Sequence, residues 1–224
     1  MNMTTFDFGN GPVPAHKHLN GGGWVADTAK VAQTAYVGPD AKVYGDAQVF
    51  GNAEVSGDAR VYGKAQVYCD TRVFANACVS GDARVYGKAQ VYGIAWVYGK
   101  AQVYGIAWVY GKAQVSGNAQ VFDNARVCSD ARVYGNAWVS GNAWVFENAQ
   151  VSGDAWVFDD ARVYGDAQVY DNAEVFGNAW VYHNAVVYGK AQVYGDTRVY
   201  GKARVSNDAE EEMNGKRYKL VEVE

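Results

Sequence analysis

From Val25 to Val205 every sixth residue is valine, 31 in succession with no insertion or deletion. Two residues before each valine stands alanine in 28 cases, the exceptions being Gly23, Thr71 and Thr197. A strict period of six fits no helix, whose apolar stripe follows a 3.6-residue period. Six is an even number, and strand side chains alternate with period two. The Ala and Val of each hexad therefore share one face, and the residues flanking valine share the other. Gly followed by Asp, Asn or Lys fills the remaining places, and Gly, Asp and Asn tolerate the backbone of a tight corner. Each hexad is one short strand and one corner. Units joined by identical short connections stack as a solenoid. Three hexads close an 18-residue triangular coil, and ten coils at about 4.8 Å each make a prism about 50 Å long.

Such a core is built from small side chains, and leucine occurs only at Leu19 and Leu220. A buried valine contributes about 1.5–3 kcal/mol, less than the cost of ordering its hexad at about 1 kcal/mol per residue. Ladder hydrogen bonds and the outward rows must supply the rest.

Those rows follow from the 18-residue turn. Of the 31 residues that succeed a valine, 21 are Tyr or Phe. One face carries Phe50, Tyr68, Tyr86, Tyr104, Phe122, Phe158, Phe176 and Tyr194, broken at Ser140, beside a partial glutamine row of Gln48, Gln66, Gln102, Gln120 and Gln192. A second face places Trp108, Arg126, Trp144, Arg162, Trp180 and Arg198 in alternation before their valines. The third mixes small and large residues: Tyr98, Ser116, Tyr134, Ser152 and Tyr170. All seven tryptophans precede a valine, so all are expected to point outward. Three uses are open for the Trp/Arg row and the Tyr68, Tyr86, Tyr104 row: stabilising stacks along the sheet, burial between subunits, or binding of a flat or sugar-like ligand. Corner charges such as Asp46, Lys64, Asp82 and Lys100 along one edge are expected to pair between coils. Ile94 and Ile106, from a twelve-residue duplication within 85–114, should be exposed.

The period divides the chain into an N-terminal cap (1–24), the repeat (25–205) and a C-terminal cap (206–224). In the last, Asn214-Gly215 signals a hairpin, and Glu210, Glu211 and Glu212 would discourage end-to-end association.

A formal net charge of −4 gives no electrostatic case for nucleic acid. No apolar run is long enough for a membrane-spanning helix, and the first residues do not read as a signal peptide. Cys69, Cys78 and Cys128 read as free thiols in a reducing compartment, so the expected location is the cytoplasm or a virus particle. His16 and His18, two apart, could share a strand face and offer two ligands to a metal; solvated residues are the simpler expectation, and no cofactor is expected.

The A-x-V-x-G-(D/N) pattern resembles the hexapeptide-repeat superfamily, whose resemblance implies a left-handed parallel β-helix. "GGGWV" running directly into hexads resembles a phage and bacterial branch of these repeats. The superfamily includes acyltransferases and γ-class carbonic anhydrases, which the resemblance implies would be trimers working in clefts between subunits. "VADTAKVAQTAYVGPDAKVYGDAQV" is similar to the start of such an anhydrase. The chemistry then fails to follow: three zinc-binding histidines are needed, and the coils hold only His183. No loop interrupts a coil to close over an acyl donor. His183, in "VYHNAV", is a weak catalytic candidate and reads more simply as a corner residue. The expectation is a non-enzymatic structural or adhesive rod that self-associates or binds a protein or glycan partner, a homo-oligomer with the trimer favoured and no membrane partner; its alternatives are an acyltransferase-like or γ-carbonic-anhydrase-like trimeric enzyme and a polysaccharide-binding or ligand-sequestering protein.

Overall fold

The structure is a computed structural model that describes residues 4–206 and the short strands at 212–213, 216–217 and 219–221. It is all-β: a solenoid of about ten triangular coils, with three parallel sheets as its faces. Each strand is short, typically the valine and the residue before it, as in Gln48–Val49 and Gln66–Val67. Register is fixed by the period, since every valine pairs with the one 18 residues on: Val49 with Val67, and Val67 with Val85.

Face one holds the strands from Trp24–Ala26 to Arg204–Ser206, face two those from Lys30–Val31 to Gln192–Val193, and face three those from Tyr36–Val37 to Arg198–Val199. Inward Ala and Val are sealed almost completely from solvent from Ala35 to Val187. Among the described residues, every buried side-chain nitrogen or oxygen has a hydrogen-bond partner. Thr71, which replaces an alanine, satisfies its hydroxyl by donating to Tyr68 C=O at 2.7 Å.

Backbone polarity runs one way. The N–H of Gln48 donates to Ala65 C=O and that of Phe50 to Val67 C=O, both at 2.9 Å, and this step recurs along the solenoid. Carbonyls therefore face the N-terminal end. There the strand Pro12–Lys17 lies antiparallel on Trp24–Ala26, and Thr5–Asp7 lies antiparallel on it in turn. The following loop covers the next carbonyls: His18 Nε2 meets Ala35 O at 3.0 Å, and Asn20 Nδ2 donates to the same oxygen at 3.1 Å. At the opposite end Lys219–Val221 lies antiparallel on Arg204–Ser206, and Glu212–Met213 pairs with Lys216–Arg217. The Asn214-Gly215 turn and Glu210 and Glu211 fall outside the described residues.

Corners bear out the turn chemistry. From Gly45 to Gly201 the fifth hexad position is left-handed, occupied by glycine or, with φ near +60°, by Cys69, Ala75, Asp123, Ser129, Glu147, Asp159, Asp171 and His183. Asp uses the position well. Asp123, Asp159 and Asp171 each accept from the backbone N–H of the glycine one coil on, at 3.2–3.3 Å.

The duplicated twelve residues cover two-thirds of a coil, so the two copies land on different faces. Trp96 lies on face one and Trp108 on face three. Ile94 and Ile106 are exposed, on different edges.

Candidate functional site

With the core filled by Ala and Val, the side chains of the coils that reach solvent stand in the outward rows and at the corners. Tyr68, Tyr86, Tyr104 and Phe122 on face two stack with centroids 4.8–5.0 Å apart and planes within 2° of parallel. Phe158, Phe176 and Tyr194 continue the row. The gap at Ser140 is filled by Trp138 and Trp156, which stack at 5.0 Å and meet Phe122 and Phe158 edge-on. Ring spacing equals strand spacing, so each ring presents its face to the next ring and its edge to solvent.

The glutamine row serves the tyrosines. Tyr86 OH donates to Gln102 Oε1 at 3.4 Å and Tyr104 OH to Gln120 Oε1 at 3.1 Å. On face one Tyr98 and Tyr134 do the same to Gln114 and Gln150. Each pair is 16 residues apart, a spacing visible in the sequence once the 18-residue turn is known. Burial raises the Tyr68, Tyr86 and Tyr104 phenols above their ordinary range.

On face three the Arg/Trp alternation is a cation–π ladder in part. The Arg126 guanidinium lies 5.1 Å from the Trp108 ring, and Arg162 and Arg198 flank Trp180, each at 4.9 Å. Trp144 differs. Its ring leans on Phe146 at 4.7 Å, and its Nε1–H donates to Cys128 Sγ at 3.2 Å. Cys128 occupies the gap between Tyr110 and Phe146 in the aromatic row, a contact the sequence reading missed. Burial, and then the hydrogen bond with Cys128, push the Tyr110 phenol up.

The weak candidates are placed apart from one another. His183 is an exposed left-handed corner, edge-on to Tyr182 at 4.8 Å. His16 is exposed and its Nδ1 meets Asp27 Oδ1 at 2.8 Å, whereas His18 is buried against Ala35. Among the described residues no three His, Cys, Asp or Glu side chains gather as metal ligands. No helix there is long and apolar enough to cross a membrane.

The corner charges correct the sequence reading. Among the described residues, Asp46, Lys64, Asp82 and Lys100 make no ion pair, whereas Arg72 pairs with Glu54, Lys112 with Asp130 and His16 with Asp27. Elsewhere corners are joined by amides instead: Asn118 donates to Asn136, and Asn136 to Asp154, at 2.9 and 2.8 Å. Lysine ammonium groups on long stems gain little from a neighbour one coil away in water. Beside the four charges runs an open groove of about 610 Å³, lined also by Gln48, Gln66, Arg84, Gln102, Asn118 and Gln120.

A repeat-family match and one superposed solved structure agree with this architecture. The repeat family described as the YdcK beta solenoid repeat matches six stretches: 53–69, 77–93, 131–147, 149–165, 167–182 and 191–209. An Arabidopsis UDP-N-acetylglucosamine acyltransferase superposes with a TM-score of 0.58 at 9% identity, over 83% of this chain and 73% of that one. LpxA from Acinetobacter baumannii is 11% identical over 82% of this chain and 71% of its own, with a TM-score of 0.35. No curated protein matches the sequence.

Proposed function

Taking the chain as a hexapeptide-repeat β-solenoid of the β-helix class, we propose that it is a non-enzymatic structural or adhesive rod that works by contact through its outward faces. One observation carries the reading: among the described residues the coils are unbroken, so the surface there offers continuous rows and no loop that folds over a cavity. Parallel rows on a rigid prism suit association with another extended surface. Exposed apolar side chains mark places for it, with Ile94 on one edge, Trp96 on the adjoining face one and Ile106 on another edge. Three free thiols suit a reducing compartment, the cytoplasm or the interior of a particle.

Ring geometry bears on the kind of contact. A sugar that binds by stacking needs a bare ring face, and most faces in the long rows are covered by the next ring. Contact through ring edges and hydroxyls fits these rows better.

The test replaces Trp108, Trp144 and Trp180 with Ala together and compares assembly by sedimentation velocity with the parent. The reading expects loss of assembly or of partner binding. If neither changes, that row is a stabilising ladder alone. An acyltransferase-like trimer would need a base in a cleft between subunits, and His183 is the coil histidine to supply it. His183→Ala should therefore leave the protein's properties unchanged; loss of an acyl-transfer activity in this variant would revive the enzyme reading.

A further inference from the structure

The edge between faces one and two has a property the aromatic rows lack. Asp46, Lys64, Asp82 and Lys100 occupy successive coils, all exposed, and alternate in sign. None is neutralised by an ion pair among the described residues, and the groove beside them is open and polar. From this we infer that the edge is a self-complementary interface that pairs two copies of the chain antiparallel about a two-fold axis.

Reversing the order Asp, Lys, Asp, Lys gives Lys, Asp, Lys, Asp. A two-fold axis perpendicular to the rod, midway between the coils of Lys64 and Asp82, therefore sets Asp46 against Lys100 of the second copy and Lys64 against its Asp82. Each contact occurs twice, as an isologous interface requires. The same rotation places Gln66 opposite Arg84, so no like charges meet in the adjacent row. Equal coil spacing in both copies keeps all four pairs in register at about 4.8 Å per step. A parallel copy shifted by one coil would also match signs, but that contact is heterologous and does not close. Pairs brought together across a groove lose more water than pairs on an open corner, so they gain more from attraction. The partner is thus a second copy, and the assembly is a closed dimer.

This deepens the reading of the chain as an associating rod and uses different residues from its tryptophan test. Light scattering on the full chain should give twice the 24.3 kDa chain mass at low salt, falling toward the single mass as salt screens the pairs. Lys64→Glu with Lys100→Glu makes the edge wholly acidic, and Asp46→Lys with Asp82→Lys makes it wholly basic. Each double variant alone should be monomeric, with circular dichroism unchanged because all four positions are exposed corners. An equimolar mixture of the two should recover the dimer. Carbodiimide, which joins a carboxylate and an amine with no spacer, should link Asp46 to Lys100 in the parent. Within one chain those residues are three coils, about 14 Å, apart, so that link forms only between copies; a parallel copy shifted by one coil would link Asp46 to Lys64 instead. A parent that is monomeric or trimeric, variants that stay dimeric, or a mixture that does not reassemble would overturn the inference. Were the edge variants to stay assembled while the triple tryptophan variant fell apart, the contact would lie on face three: the associating rod would stand and this edge would not.

Discussion

Most of this surface is decided at the corner residue. A left-handed backbone costs an L residue about 1–2 kcal/mol, and here it comes with a close approach. A Cβ added at Gly93 would lie 2.9 Å from the backbone N and O of Gly111. Gly93→Ala should lower stability by about 1–2 kcal/mol, read from a urea transition. His183, which already occupies the same conformation, should behave oppositely: His183→Gly is expected to keep or slightly raise the midpoint. Cysteines make a second residue-scale prediction. Cys69 is exposed, whereas Cys78 and Cys128 are buried, and burial raises the Cys78 thiol above its ordinary range. An aromatic disulfide reagent at neutral pH should label one thiol per native chain quickly and all three after unfolding.

Rows act as elements here in place of helices or long strands. Tyr86 stacks on Tyr68 and on Tyr104 and donates to Gln102, and a stacked pair contributes about 0.5–1.5 kcal/mol. Tyr86→Ala removes two such contacts and should cost about 1–3 kcal/mol, against a smaller change for Tyr134→Ala on the more open face one. How much of this was legible differs from row to row. Val25 to Val205 and their alanines dictate coil, register and inward face, because a period of six permits one arrangement of strands. The Tyr and Trp rows were legible for the same reason. Trp144 was not: its place in an Arg/Trp alternation suggests a cation–π contact, but the small Cys128 one coil before lets the indole turn and donate to sulfur. Pairing of Lys64 with its neighbours also failed to follow from the order of charges. Sequence order sets which residues are adjacent, and side-chain solvation decides whether adjacent charges close on each other.

At the scale of the whole molecule, each coil contacts only its neighbours, and stability accumulates as a sum of repeated interfaces. That sum includes many phenols held neutral. Burial raises the values of Tyr44, Tyr62, Tyr68, Tyr86, Tyr92, Tyr104, Tyr110 and Tyr164. Below the ordinary tyrosine value near 10, folded and unfolded chains hold these protons equally, and the tyrosines add no pH dependence. Above it the unfolded chain releases protons first, so stability should fall as pH climbs toward the raised folded values. Thermal midpoints measured across pH 8 to 12 should be flat in their tyrosine contribution at first and then decline, with phenolate absorbance lagging that of free tyrosine.

The claim on which the account rests is that this rod acts by associating through its surface. The most direct measurement is the absolute mass of the untagged chain in solution, by light scattering across a concentration series at low salt. A discrete assembly of two chains that dissociates on dilution and in salt is the predicted result. A chain that stays monomeric at every concentration would contradict self-association.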